Sequence, residues 1–143
     1  MAEIFPDEGL DLILGQFPKN STRITSTYLC LFTSQTASTV ITSGQTMANI
    51  TETAYTDYAR QALATATWGA VAAGTGGRKT TYPQVTFPTV GATGSTINGF
   101  FISDILSTTG DVCICQANFD DTTAVTVAAT DVLKVTPTIQ FNN

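Results

Sequence analysis

From Ser21 onward, apolar and β-branched residues come in short runs. Gly, Asp, Asn and Pro interrupt them at spacings of roughly 8–12 residues, the rhythm of an antiparallel sandwich or barrel. The runs are Thr25–Thr33, Tyr82–Phe87, Phe100–Ile102, Val112–Ala117, Ala124–Ala128 and Val132–Phe141. Thr is about one residue in five, and with Val and Ile it weights the chain toward extended backbone. Pro83 and Pro88 mark Tyr82–Phe87 as an edge strand, because proline cannot donate to a ladder. In the last run Val135, Pro137, Ile139 and Phe141 alternate with Thr136, Thr138 and Gln140, a half-buried pattern. These runs predict an all-β fold: an antiparallel β-sandwich, jelly-roll or immunoglobulin-like, of about seven strands.

The first twenty residues differ. Leu10, Ile13, Leu14 and Phe17 fall at i, i+3, i+4, i+7, one face of a helix. Pro6 suits a first turn, Asp7, Glu8 and Asp11 complement the positive helix end, and Gly15 and Pro18 can stop the helix. The spacing predicts a helix near 7–14. Residues 1–20 are read as a helical segment or arm, and residues 21–143 as one β-sandwich domain. Leu10, Ile13, Leu14 and Phe17 form the candidate partner interface, with packing on the chain's own core as the plainer use of the same face.

Two stretches are ambiguous. Tyr55, Tyr58, Ala59, Ala62, Leu63 and Ala66 have helical spacing in an Ala-rich segment, yet the segment also reads at period 2. Asn98-Gly99 is a hairpin dipeptide or the entry to the apolar run that follows. Gly69–Gly77 reads as a flexible loop ending in Arg78 and Lys79. Its order does not match a phosphate-binding loop, because Arg78 separates Gly77 from Lys79.

Composition removes several functions. The chain has no His, so triad catalysis and His-bound metal are excluded within it. Six Lys plus Arg against eleven Asp plus Glu leave a net charge of −5 and no basic stripe for nucleic acid. No apolar run is long enough to span a membrane, and the acidic N-terminal residues are unlike a signal peptide. Cys30, Cys113 and Cys115 are expected to be reduced, buried and without metal, with Cys113 and Cys115 on one face of a strand. The turn Asp120-Asp121 lacks the alternate ligands of a calcium loop. Among Glu52, Asp57, Asp104, Asp111 and Asp131, no spacing singles out a catalytic pair. No catalytic residue, cofactor or metal is expected. Tyr55, Tyr58, Trp68 and Tyr82 could line a glycan-binding face, but core or interface packing is the simpler use. Charged residues are 12% of the chain, a low share that points to a surface partly covered by a partner.

The order of motifs resembles a family of small virion structural proteins of tailed bacteriophages. Tyr28-Leu29-Cys30-Leu31-Phe32-Thr33 is similar to the family's Leu-x-Val-Ala-Leu-x-Thr strand. Glu52-Thr53-Ala54-Tyr55-Thr56-Asp57-Tyr58-Ala59-Arg60 is similar to its Glu-x-x-Tyr-x-Gly-Tyr-Ala-Arg. Trp68, Val85-Thr86-Phe87-Pro88, Ile97-Asn98-Gly99-Phe100-Phe101-Ile102 and Asp131-Val132-Leu133-Lys134-Val135-Thr136-Pro137 follow in family order. Asp57 stands where the family has Gly, and Thr130-Asp131 where it has Gly-Asp. The resemblance implies that Tyr58-Ala59-Arg60 is a strand, that Asn98-Gly99 is a strand entry, and that the protein is not an enzyme. It implies a virion location after assembly in the host cytoplasm, other virion proteins as partners, and self-association, with a trimer as the expected form. A capsid decoration or cement protein, held by the major capsid protein, is the leading expectation, because no repetitive shaft is present. A tail or fibre component, including a receptor- or glycan-contact domain, is the alternative.

Overall fold

The computed structural model describes residues 7–16, 26–35, 46–75, 77–106, 110–119 and 124–142. Helix α1 spans Asp7–Gln16. The strands are β1 (Thr27–Gln35), β2 (Ile50–Glu52), β3 (Gln61–Leu63), β4 (Ala72–Gly74), β5 (Gly77–Thr81), β6 (Val85–Thr86), β7 (Ser95–Ile97), β8 (Gly99–Ser103), β9 (Cys113–Asn118), β10 (Val125–Val127), β11 (Lys134–Val135) and β12 (Thr138–Asn142). All pairings among the described residues are antiparallel.

The central sheet runs β2-β1-β8-β9, and β3 shares the β2 side of β1. β2 pairs the far end of β1 and β3 its start, so two short strands divide one long edge. The other sheets are β10-β7, β11-β6 and β12-β5-β4. β1 and β8 are buried on both faces. Leu29, Leu31, Phe100 and Ile102 join the main core with Phe87, Ile97, Val127 and Val135. Cys30, Phe32 and Phe101 face the other way, with Ile50 and Cys113. α1 lies on β9, the outer strand, and Ile13 packs against the main core. Gly9 makes that approach possible, because a Cβ there would sit 2.3 Å from the Ile114 carbonyl oxygen. Gly99 opens β8 under the same constraint, with the Ala117 carbonyl oxygen 2.1 Å from where a Cβ would stand. Asn98-Gly99 is therefore strand entry and not a hairpin turn.

Several expectations are corrected. Many strands are only two or three residues long, so twelve are present among the described residues where about seven were expected. Gly69–Gly77 is not a loop throughout: Ala72–Gly74 and Gly77–Thr81 pair as a hairpin. The run Val132–Phe141 breaks at Thr136-Pro137 into β11 and β12 in different sheets, since Pro137 has no N–H for a ladder. Phe141, expected to be buried, is 51% exposed. Tyr58-Ala59-Arg60 is neither helix nor strand, and the strand starts at Gln61. The helical reading of the Ala-rich stretch fails because β1 captures Gln61–Leu63 as a strand, a tertiary pairing that outweighs propensity. Cys113 and Cys115 lie on opposite faces. The register passes from Ile102↔Cys115 to Ser103↔Cys113, so Ile114 is an extra residue, and a bulge of this kind breaks period-2 alternation.

The two departures from family glycines are both left-handed, Asp57 at φ 74° and Thr130 at φ 75°. Asp tolerates that region, but a β-branched Thr is strained there by about 1–2 kcal/mol. Thr130→Gly is expected to stabilise the fold by about 0.5–1 kcal/mol after glycine's extra unfolded-state entropy is subtracted. A urea midpoint that falls on this substitution would contradict a left-handed turn at Thr130 in solution.

Candidate functional site

Arg60 is 8% exposed and sits where β2, β8 and the segment before β9 converge. The turn before it is set by the Tyr58 N–H donating to the Tyr55 carbonyl and by left-handed Asp57. That turn sends Tyr58 and Arg60 inward. Arg60 Nε donates to Glu52 Oε1 at 2.9 Å, and Nη2 donates to Glu52 Oε2 at 2.7 Å, a two-pronged contact. Nη2 also donates to Asp111 Oδ2 at 2.7 Å. Nη1 donates to the Ile105 carbonyl at 2.8 Å and to Ser103 Oγ at 3.3 Å. The guanidinium lies over the Phe101 ring, 5.7 Å from its centre. Tyr58 extends the network: its hydroxyl donates to Glu52 Oε1 at 2.6 Å and accepts from the Leu31 N–H at 3.0 Å.

Burial draws the Arg60 guanidinium down, but the hydrogen bonds to Glu52 and Asp111 outweigh it and hold the group above its ordinary value. Burial first, then Cys30 and Glu52, push the Tyr58 hydroxyl well up. Burial likewise raises the Cys30 thiol, against the lowering influence of Arg60.

Two clefts flank this network. One, of about 320 Å³, lies between Met47–Ile50 and Gly110-Asp111. The other, of about 510 Å³, lies between Thr53–Tyr55 and Leu106. Thr53 Oγ1, beside the larger cleft, is buried without a hydrogen-bond partner among the described residues. Among the described residues, neither cleft has the layout of an acid–base site. The two carboxylates that meet, Glu52 and Asp111, meet through a guanidinium, and both Glu52 oxygens are already engaged by Arg60 and Tyr58. The arrangement ties distant segments together.

The other carboxylates serve local structure. Asp104 Oδ1 accepts from the Val112 N–H at 2.8 Å, and Asp131 Oδ2 from the Ala128 N–H at 2.8 Å. Asp57 is exposed in its turn, and Asp120-Asp121 lie outside the described residues. Tyr55 is buried in the main core, while Tyr58, Trp68 and Tyr82 pack partly against it. Trp68 and Tyr82 meet edge-on at 5.2 Å. Of the candidate interface residues, Ile13 turns to the core and Leu14 is 60% exposed. The Leu10 side chain and Phe17 lie outside the described residues.

Cys30, Cys113 and Cys115 are buried and unbridged. They are expected to react slowly with a thiol reagent in the native protein and to give three equivalents once it is unfolded. A raised thiol pKa adds stability that is fully present below the ordinary value of 9.0 and is lost as pH rises above it. Unfolding free energy should therefore fall above about pH 9. Rapid native labelling, or stability flat into the alkaline range, would contradict this burial.

Sequence reasoning missed Arg60 and its partners as a unit. The signal present was the side-chain set of the Glu52-to-Arg60 motif, in which Glu52, Tyr58 and Arg60 now prove to touch one another. Asp111 carried no local signal, because it is 51 residues from Arg60.

No curated protein matches the chain. The model of the podophage GP4 fiber I protein gp80 family does match, over residues 8–139, from the first turn of α1 into β12. The match takes in the Arg60 network and strands of each sheet among the described residues, and the chain belongs to that family of tailed-phage virion structural proteins.

Proposed function

We propose that this chain is a non-enzymatic fibre component of a tailed-phage virion, a β-sandwich that associates with further copies of itself and with other virion proteins. The observation that carries the reading is the family match across residues 8–139. It supports the fibre alternative over the capsid-cement role expected from the lack of a repetitive shaft. The Arg60 network agrees with a structural role: a buried ion cluster links β2 to the segment before β9. A low charge share suits a protein whose faces are covered by neighbours. Neither nucleic acid nor membrane enters the reading.

Immunogold labelling of intact virions with antibody to this chain tests the location. Label on appendages at the tail or portal end is expected. Label spread evenly over the capsid faces would overturn the fibre reading in favour of cement.

A further inference from the structure

The β12-β5-β4 sheet extends beyond the core it helps to cover. Its register sets Ile139 opposite Thr80, and Phe141 opposite Arg78 and then Ala73. Residues two apart share a face, so Ile139 and Phe141 point the same way. Ile139 packs against the main core, whereas Phe141 on the same face is 51% exposed. Ala73 and Arg78 beside it are also exposed, and Val71, just before β4, is 61% exposed. The inward face of this sheet thus runs off the edge of the domain as an apolar corner carrying a cation. Arg78 Nη2 donates to the Val71 carbonyl at 3.4 Å, which keeps the cation beside this corner. Lys79 adds a second exposed cation on the reverse face, in a chain whose net charge is −5.

The outer side of α1 is its chemical complement. Gly9 and Ile13 face β9 and the core. At 100° per residue, Asp7, Asp11 and Leu14 cluster on the opposite side of the helix, and all three are exposed. That strip is two carboxylates with an apolar residue at one end. It is about 10 Å long at 1.5 Å per residue. The corner from β12 across β5 to β4 is also about 10 Å, at two strand spacings. We propose that the apolar, cationic corner of the β12-β5-β4 sheet binds the Asp7–Asp11–Leu14 strip of α1 from a second copy of this chain.

Leu14 covers Phe141 and Val71 in this contact, and Asp11 or Asp7 pairs with Arg78. Copies with a net charge of −5 repel at long range, so association needs a local patch of opposite sign, and this corner supplies one. The two surfaces differ, so the contact is made twice about a two-fold axis or, if heterologous, closes into a ring when the rotation divides the circle evenly. The inference rests on the proposed self-association but not on where in the virion the protein sits.

Sedimentation velocity of the full chain at low and high salt is the test, with Arg78→Glu, Asp11→Arg and the two combined. The wild type should be oligomeric and should weaken with salt. Each single reversal should weaken association by about tenfold or more, and the combined swap should restore it. A second measurement is independent of the charge variants. Leu14→Cys protein mixed with Phe141→Cys protein should form a disulfide-linked heterodimer faster than either forms homodimers. A wild type that is monomeric throughout overturns self-association and this contact together. An oligomer indifferent to both reversals, lost without recovery in the swap, or giving no mixed disulfide overturns the contact while self-association stands.

Discussion

Arg60→Ala is expected to lower the unfolding free energy by about 3–5 kcal/mol, the usual loss when one partner of a buried ion pair is removed. The side chains of Arg60, Asp111 and Glu52 are 4%, 3% and 15% exposed, so screening by water is slight for the first two and modest for the third. The substitution leaves two carboxylates facing a vacated site and removes donors from the Ile105 carbonyl and Ser103 Oγ. At roughly 2–4 °C per kcal/mol, the melting temperature should drop by about 10 °C. Arg60→Lys should recover part of the loss, because an ammonium cannot reproduce the two-pronged contact with Glu52. Replacing Arg60, Glu52 and Asp111 together by apolar residues of similar size should be far milder than Arg60→Ala alone. Urea unfolding of the four proteins checks the series. A loss below about 1 kcal/mol for Arg60→Ala would mean that the cluster behaves as an exposed ion pair.

Phe101→Ala should cost about 3–5 kcal/mol, the range for emptying a buried aromatic site. Phe101 is 0% exposed at the centre of β8, opposite Cys30 of β1, and the Arg60 guanidinium lies over its ring. Among the described residues the second core has Cys30, Phe32, Ile50 and Cys113 as its other buried members, a set too small to collapse far into the space. Phe101→Leu should retain most of the stability, because much of the volume remains. Val132→Ala serves as the contrast. Val132 is 44% exposed, and its truncation should stay within about 0.5 kcal/mol. A Phe101→Ala loss as small as that of Val132→Ala would show that this face of the central sheet opens to water. Because Arg60 and Phe101 touch, the double variant should lose less than the sum of the two single losses.

Much of the central sheet was legible in the sequence. Thr25–Thr33, Phe100–Ile102 and Val112–Ala117 are dense in β-branched and apolar residues, and they hold β1, β8 and β9. Buried strands of this kind declare themselves because nearly every side chain must be apolar. Of the peripheral strands, β6, β10, β11 and β12 fall in predicted runs, whereas β4 and β5 were not legible. β4 and β5 carry Ala, Gly, Lys and Arg, and they exist because a neighbouring strand supplies the hydrogen bonds these residues do not favour. The bulge at Ile114 was equally silent. It inserts one residue against β8 and moves Cys113 to the face of Cys30 while Cys115 stays with the main core.

The candidate site divides along the same line. Glu52, Tyr58 and Arg60 lie within one motif, but nothing in its spacing marked their side chains as a cluster. Neither Asp111 nor Ser103 could be attached to it from spacing, since chain separations of 51 and 43 residues carry no information about distance in space. The carboxylates at positions 57, 104 and 131 look the same as those at 52 and 111 in the sequence, yet they end as turn and loop groups.

The sequence alone settles the β-rich class, because backbone preference and the burial of apolar runs act over a few residues at a time. It also settles kinship with phage virion proteins, because an ordered series of short motifs survives where no single one is specific. Three-dimensional packing settles which carboxylates share a guanidinium, which face each cysteine occupies, and where an apolar strand outruns its core. Those outcomes depend on pairing between segments distant in the chain, and the energy of such a contact exists only once both partners are in place.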